Sequence, residues 1–325
     1  MTMERILLDL HCHLVPLTPA ATEGLKGIAW RGAGPALEID GYLLAAPSVY
    51  RVEALLDWMD RNAVERAWIS VPPPLYRLEL EAGPAAHWIA CLNEGLAEVA
   101  ARHPDRLAPL VHLPVQHPAL AAETAQAWIA RGLPRFAMPA GSANRQLILS
   151  DAAYDPLWQA LDEAGAFLFL HPCKGCDPRY EPFYLHNLLG SPVETALAAA
   201  HLALSGILDR HRRMTLCLAH GGGATAAVAG RLERGQVTGR PGADTGAERP
   251  RQVFRRVAVD CICHDPATLA LAAAAHGEDN LYFGSDWPFS MGLPEPHRQL
   301  ADCSPDLRRQ MFETNPRRLL ARFPR

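Results

Sequence analysis

Short, almost wholly apolar runs alternate along this chain with longer stretches in which apolar residues recur every three or four positions. The short runs fall at 6–10, 66–71, 107–113, 135–138, 166–170, 214–219, 256–262 and 280–284. Unbroken apolar runs of this length read as strands buried on both faces, the pattern of a parallel sheet. The longer stretches predict helices over 49–62, 85–102, 118–131, 151–164, 192–210, 223–234, 265–275 and 304–321. Asp151 and Ser304-Pro305 stand where a helix cap or a first-turn proline is expected. Eight strands, each followed by a helix, predict an α/β fold of the (β/α)8, or TIM-barrel, type. The competing doubly wound sheet usually carries a glycine-rich phosphate loop after its first strand. Here that place holds His11-Cys12-His13-Leu14. Three strand-to-helix connections are long, 13–48, 72–84 and 172–191, and in a barrel they wall a pocket on the C-terminal face. The stretch 236–249, rich in glycine and charge, precedes a strand and is expected to be exposed, mobile and without a chemical role.

Composition agrees with a single barrel domain spanning 1–325. Hydrophobic content of 49% and charged content of 20% belong to a soluble globular protein with a large core. A formal net charge of −4 gives no reason to expect nucleic acid or an anionic membrane as partner. The basic cluster Arg317, Arg318 and Arg322 reads as a solvated helix face. No stretch approaches the roughly 20 apolar residues of a membrane span, and too few residues precede the first strand for a signal peptide. A cytoplasmic location is therefore expected. The eight cysteines lie mostly in apolar runs and read as free buried thiols. Cys173 and Cys176 have C-x-x-C spacing, but there is no second such pair for a four-thiolate zinc site.

The candidate chemistry sits where strands end. Side chains two apart on a strand share a face, so His11 and His13 can reach one metal ion. The fifth predicted strand ends in His171-Pro172, the sixth in His220 followed by Gly221-Gly222-Gly223, and the eighth in Asp286-Trp287-Pro288. A lone histidine at a barrel mouth is usually an ordinary satisfied polar residue; four strand ends contributing to one rim are harder to explain that way. Imidazoles and a carboxylate are the ligand types of Zn²⁺ with an open position for water, whose pKa the metal lowers. A further histidine can move protons. The three glycines remove bulk, so that backbone and substrate can approach. Asp9 shares the face of His11 and is expected to brace a ligand without binding metal. Cys12 points the other way, into the core.

These residues resemble the amidohydrolase superfamily, in the amidohydrolase-2 branch typified by amino-carboxymuconate-semialdehyde decarboxylase. The resemblance spans nearly the whole chain and includes Met59-Asp60, the segment Gly190-Ser191-Pro192-Val193-Glu194, Gly230-Arg231, His264-Asp265-Pro266 and Asn315. It implies that His11, His13, His171 and Asp286 hold one divalent metal, Zn²⁺ or else Mn²⁺ or Co²⁺. It implies that His220 is the catalytic acid/base, acting with Asp286. It also implies a homodimer in which Arg231 reaches the neighbouring subunit's site and binds a substrate carboxylate. The chain departs from the branch in its substrate wall. Leu43 falls where a second carboxylate-binding arginine is expected, and neither Arg31 nor Arg51 aligns with it. The loop after the fifth strand reads His171-Pro172-Cys173-Lys174, and later Leu185-His186-Asn187. Lys174, Arg179 and His186 on that loop are candidate substrate contacts.

Three functions remain open on the sequence. The leading one is metal-dependent non-oxidative decarboxylation of an aromatic, heteroaromatic or unsaturated carboxylic acid, with a metal-bound water or hydroxide and His220 as acid/base. The second is hydrolysis of an amide, lactone or ester by the same centre, which the missing first-loop arginine favours slightly. The third is a metal-stabilised binding protein, which would not need an open site with a free acid/base. The expected partner is a small-molecule carboxylate.

Overall fold

The structure is a computed structural model that describes residues 3–32, 35–141, 147–173 and 177–324. The chain divides into two compact units, residues 1–112 with 283–325 and residues 113–282.

The first unit is built on a parallel sheet of β1 (Asp9–His13), β5 (Ala67–Ser70) and β6 (Leu107–Pro109), in that order. The register pairs Asp9 with Ala67, His13 with Ser70 and Ile69 with Pro109. Leu110 carries the third strand on into β7 (Val111–His112). Every residue of β1 and β5 is buried, as the unbroken apolar runs require. The segment after 282 returns to the free edge of β1, where Leu10 N–H donates to Phe283 O at 3.1 Å and Cys12 bridges to Trp287. Helices α1 (Val52–Arg61) and α2 (Ala82–Arg102) turn apolar faces inward through Leu55, Trp58 and Met59, and through Trp88, Leu92 and Leu96.

The connection after β1 is not a bare loop. It folds into an antiparallel sheet of β2 (Ile28–Arg31), β3 (Ala36–Ile39) and β4 (Tyr42–Leu44). Its tight turn is Asp40-Gly41, with φ of 49° and 84° between the paired Ile39 and Tyr42. Aspartate followed by glycine is the residue pair that such a left-handed two-residue turn selects.

The second unit is a parallel sheet in the order β12 (Leu281–Tyr282), β11 (Ala258–Asp260), β10 (Thr215–Leu218), β9 (Phe167–His171), β8 (Arg135–Pro139). Neighbouring β8, β9 and β10 align Ala137, Phe169 and Cys217. Between the strands run α3 (Pro118–Ala130), α4 (Asp155–Glu163), α5 (Ser191–Leu204), α6 (Ile207–Arg210), α7 (Thr225–Val237), α8 (Pro250–Phe254) and α9 (Pro266–His276). Phe167, Leu168, Phe169 and Leu170 of β9 are wholly buried. At about 1.5–3 kcal/mol per buried large apolar side chain, this strand alone is a substantial part of the core. Asp265 caps α9 by accepting the N–H groups of Ala267 and Thr268.

Each of the eight expected strands is therefore present, with two helices corrected. The helix expected over 192–210 breaks into α5 and α6 at Gly206, which takes the left-handed φ of 71°. The helix expected over 304–321 is interrupted by a wider turn at Gln310–Thr314. The stretch 236–249 is largely exposed as expected, but its base is pinned. Gln236 is buried and donates through Nε2 to the carbonyls of Asp244, Ala247 and Glu248. The described cysteines are all free thiols, and the C-x-x-C pair lies partly outside the described residues. No described helix is long and apolar enough to cross a membrane.

Candidate metal centre

In the first unit, β1 delivers both of its histidines to one point. His11 Nε2 lies 3.2 Å from His13 Nε2, and Asp286 Oδ1 lies 3.4 Å from the first and 3.1 Å from the second. All three side chains are buried. Donor atoms held about 2.0–2.2 Å from one ion are separated from each other by about 3.0–3.5 Å. The observed spacings fall in the range that donor atoms sharing one ion would show.

The tautomer of His13 is fixed by its neighbour. Ser70 Oγ spends its proton on Cys12 O at 3.1 Å and so accepts from His13 Nδ1, also at 3.1 Å. That leaves the lone pair on Nε2, facing the ligand cluster. Ser70 was not singled out from the sequence; its sign there is only a hydroxyl closing an apolar strand.

Asp9 braces the centre through the backbone. Its Oδ1 accepts from His11 N at 3.1 Å and Ser285 N at 3.0 Å, and its Oδ2 accepts from Ser285 Oγ at 2.5 Å. The carboxylate thus ties the end of β1 to the residue before Asp286. Burial pushes the Asp9 carboxyl up to about 7, against the hydrogen bonds from Ser285 and His11. Asp286 behaves in the opposite way. Burial acts to raise it, but the two histidine rings set against it hold its carboxyl well below the usual carboxylate range. Burial also lowers His13, which favours the neutral imidazole. Cys12 faces away, as expected, with Sγ donating to Trp68 O at 3.6 Å.

The second unit carries His171 at the end of β9 and His220 just after β10. Their rings meet edge to face at 5.1 Å, and each offers a nitrogen within 4.8 Å of the other. His171 Nδ1 lies 2.8 Å from Pro172 O. A carbonyl only accepts, so Nδ1 holds the proton and Nε2 is left with its lone pair.

His220 sits in a left-handed turn, with φ of 56°. Asp260, buried at the end of β11, holds that turn by accepting from His220 N at 2.9 Å and Gly221 N at 2.8 Å, and from Ile262 N at 3.0 Å. The sequence reading passed over Asp260, although a lone acid in Val257-Ala258-Val259-Asp260 is visible there. The glycines after His220 leave room for close approach of the protein's own backbone and side chains. A Cβ on Gly221 would lie 2.3 Å from Cys263 Sγ, and one on Gly223 2.4 Å from Pro192 O. They admit the protein's own packing.

The remaining candidates divide. Arg179 is bound by its neighbour, with Nε 2.9 Å from Asp177 Oδ1. His186 opens a wide turn before α5, with its ring against Tyr184 at 4.2 Å. Arg231 is exposed on α7. Lys174 lies outside the described residues. In the first connection, Leu43 is exposed on β4, and Arg31 is paired with Glu38 at 2.8 Å.

Comparison with known proteins now gives the class. The amidohydrolase family profile matches residues 8–322, and the chain belongs to this family, in the amidohydrolase-2 branch. Among curated relatives, 2-amino-3-carboxymuconate-6-semialdehyde decarboxylase of Dictyostelium discoideum is 27% identical over 299 residues, covering 88% of this chain and 82% of the relative. Among solved structures, 5-carboxyvanillate decarboxylase from Sphingomonas paucimobilis superposes with a TM-score of 0.81 at 20% identity, over 99% of each chain. A dihydroxybenzoic acid decarboxylase from Polaromonas sp. JS666, solved with bound manganese and 2-nitroresorcinol, gives a TM-score of 0.76 at 19% identity, over 98% of this chain and 97% of that one. These likenesses show the fold, the (β/α)8 barrel with long loops on its C-terminal face. The related enzymes are decarboxylases, which are carbon-carbon lyases.

Proposed function

We propose that this protein is a divalent-metal-dependent, non-oxidative decarboxylase of an aromatic, heteroaromatic or unsaturated carboxylic acid. The observation that carries the proposal is the gathered donor set His11, His13 and Asp286, with spacings of 3.1–3.4 Å and a tautomer of His13 already set for ligation. His171, whose Nδ1–H is committed to Pro172 O, is proposed as the fourth protein ligand. All four stand at C-terminal ends of core strands, the end on which (β/α)8 enzymes build their active sites. Zn²⁺ suits two or three imidazoles and a carboxylate, and Mn²⁺ or Co²⁺ accepts the same donors. A metal held there supplies positive charge that orients the substrate's oxygens and draws electron density from the reacting carbon.

His220 is the proposed acid. Its turn is fixed by Asp260 and its ring is set against that of His171. When the carbon–carboxylate bond breaks, its electron pair stays on the ring or chain carbon and CO₂ leaves. The His220 imidazolium gives that carbon its proton and is reprotonated from solvent. Asp286, held in its charged form, is proposed to act with it. Arg231 of the partner subunit is proposed to meet a substrate carboxylate in a homodimer, a contact suited to a bidentate guanidinium; its exposure on α7 is what leaves it able to do so.

The test is product analysis with the metal-loaded enzyme and a panel of aromatic and unsaturated carboxylates. The expected result is CO₂ release with one solvent deuterium on the product carbon and no solvent ¹⁸O in the product. Solvent ¹⁸O without CO₂ would instead establish the hydrolase that the sequence left open.

A further inference from the structure

His112 is a feature of the first unit that the metal centre does not absorb. It ends β7 with 1% of its surface exposed, and its backbone is clamped on both sides by Asn93. Asn93 Nδ2 donates to His112 O at 3.0 Å, and His112 N donates to Asn93 Oδ1 at 2.7 Å. The ring lies flat on Tyr76, 4.9 Å between centroids and 14° between planes. Yet neither of its nitrogens has a hydrogen-bond partner among the described residues. A buried polar group without a partner costs about 1–3 kcal/mol, and such groups in folded proteins ordinarily answer to water or a ligand.

The register says where the ring stands. His13 pairs with Ser70, and Ile69 pairs with Pro109, which puts Leu110 level with Ser70. Leu110 N donates to Ile69 O at 2.9 Å, in keeping with that alignment. His112 is two residues beyond, on the same side of the strand as Ser70, whose hydroxyl holds the His13 ring. Two strand residues advance about 7 Å. The imidazole therefore lies one layer nearer the strand ends than the donor cluster, where a molecule resting on a bound metal would be met.

We infer that His112 is a substrate-binding residue that hydrogen-bonds an uncharged polar substituent, a ring hydroxyl, on a flat aromatic carboxylate. The inference rests on the decarboxylase reading and narrows its substrate class. A neutral imidazole has one donor and one acceptor nitrogen, which suits a hydroxyl, itself donor and acceptor. Burial pushes the His112 ring down to about 3, so it carries no charge to attract a carboxylate directly. The stack with Tyr76 supplies a planar wall beside it.

The test titrates the Mn²⁺-loaded protein with benzoate and with 2,6-dihydroxybenzoate by calorimetry. Wild type is expected to prefer the hydroxylated acid by about tenfold or more, the value of one good buried hydrogen bond. H112F keeps a flat ring on Tyr76 but loses both nitrogens, and should bring the two acids within about threefold of each other. H112Q should recover part of the preference, with metal content unchanged in both variants. A readout free of variant folding uses wild type labelled with ¹⁵N-histidine: the His112 ring resonances should move with 2,6-dihydroxybenzoate and stay with benzoate. Wild type that binds both acids equally, H112F that keeps the preference, or unmoved His112 resonances would overturn the inference while leaving the decarboxylase reading in place. Wild type that binds neither acid overturns the aromatic substrate class and the inference with it, a pattern distinct from the others.

Discussion

The end of β1 and the connection after β9 follow equivalent places in the strand-and-helix repeat, and they are built in opposite ways. At the end of β1 the polar side chains hold one another in place. Asp9 holds the backbone of His11 and Ser285, Ser70 sets the His13 ring, and Asp286 is buried against both histidines. Among its described residues, the connection after β9 is largely exposed or half-buried. Phe183 and Tyr184 take left-handed backbone angles of 60° and 61° with side chains 86% and 58% exposed, and the charge of Arg179 is met within the loop by Asp177. The first region is preorganised for one chemistry, and changing any atom disturbs several others. The second is held mainly to itself and can be rebuilt for another substrate at little cost to the frame. A family that keeps a reaction class while exchanging substrates needs both kinds of region.

The largest effect expected from breaking the rigid side is Asp286→Asn. Loss of the charged ligand should empty the centre, and with several kcal/mol of transition-state stabilisation gone the rate should fall by about 10³-fold or more. Metal content by elemental analysis and turnover should fall together. His220→Ala should separate them, keeping the metal while turnover drops by about 10²–10⁴-fold. Full activity in that variant would remove His220 from the mechanism.

Gly221→Ala tests the turn that aims His220. Its Cβ would lie 2.3 Å from Cys263 Sγ at a φ of 63°, so a thermal melt should show a drop of about 4 °C or more. Turnover should fall more than metal content, because the strain falls on the turn.

A smaller, pH-dependent effect should come from His276, which is buried with Nδ1 3.1 Å from Val257 O and Nε2 3.0 Å from Thr225 Oγ1. Burial lowers it to about 4, against hydrogen bonds to Val257 and Phe254 that raise it. The unfolded chain takes up a proton near the ordinary 6.5, whereas the folded chain waits until about 4. Its contribution to stability is thus complete above pH 6.5 and is lost as the pH falls toward 4. His276→Gln should flatten the melting temperature over that window, and an unchanged slope would assign the acid sensitivity elsewhere. The smallest effect is expected on the permissive side. Arg179→Ala removes an exposed cation already paired with Asp177, and KM should stay within about twofold.

The sequence carried the frame well because both-face burial writes each core strand as one apolar run, and because caps such as Asp265 mark helix starts directly. The proposed donors His11, His13, His171 and Asp286 drew notice for a similar reason, since polar side chains at the ends of apolar runs stand out. What escaped was of two kinds. The hairpin after β1 was missed although Asp40-Gly41 announces its turn, because its strands are only three and four residues long. Asp260 was missed because one acid in a strand gives no sign of which backbone it will bind; its partners, His220 and Gly221, are 40 and 39 residues away.

By itself, then, the sequence determined the order of strands and helices and the kinds of ligand offered at the strand ends, because periodicity and residue type are local properties. Only the tertiary structure decided which ring nitrogen His13 and His171 present, which backbone and side-chain groups Asp9 grips, that the glycines after His220 make room for Cys263 and Pro192, and that His112 is buried with its nitrogens unanswered. Each of those depends on distances between residues far apart in the chain, fixed only when the strands pack.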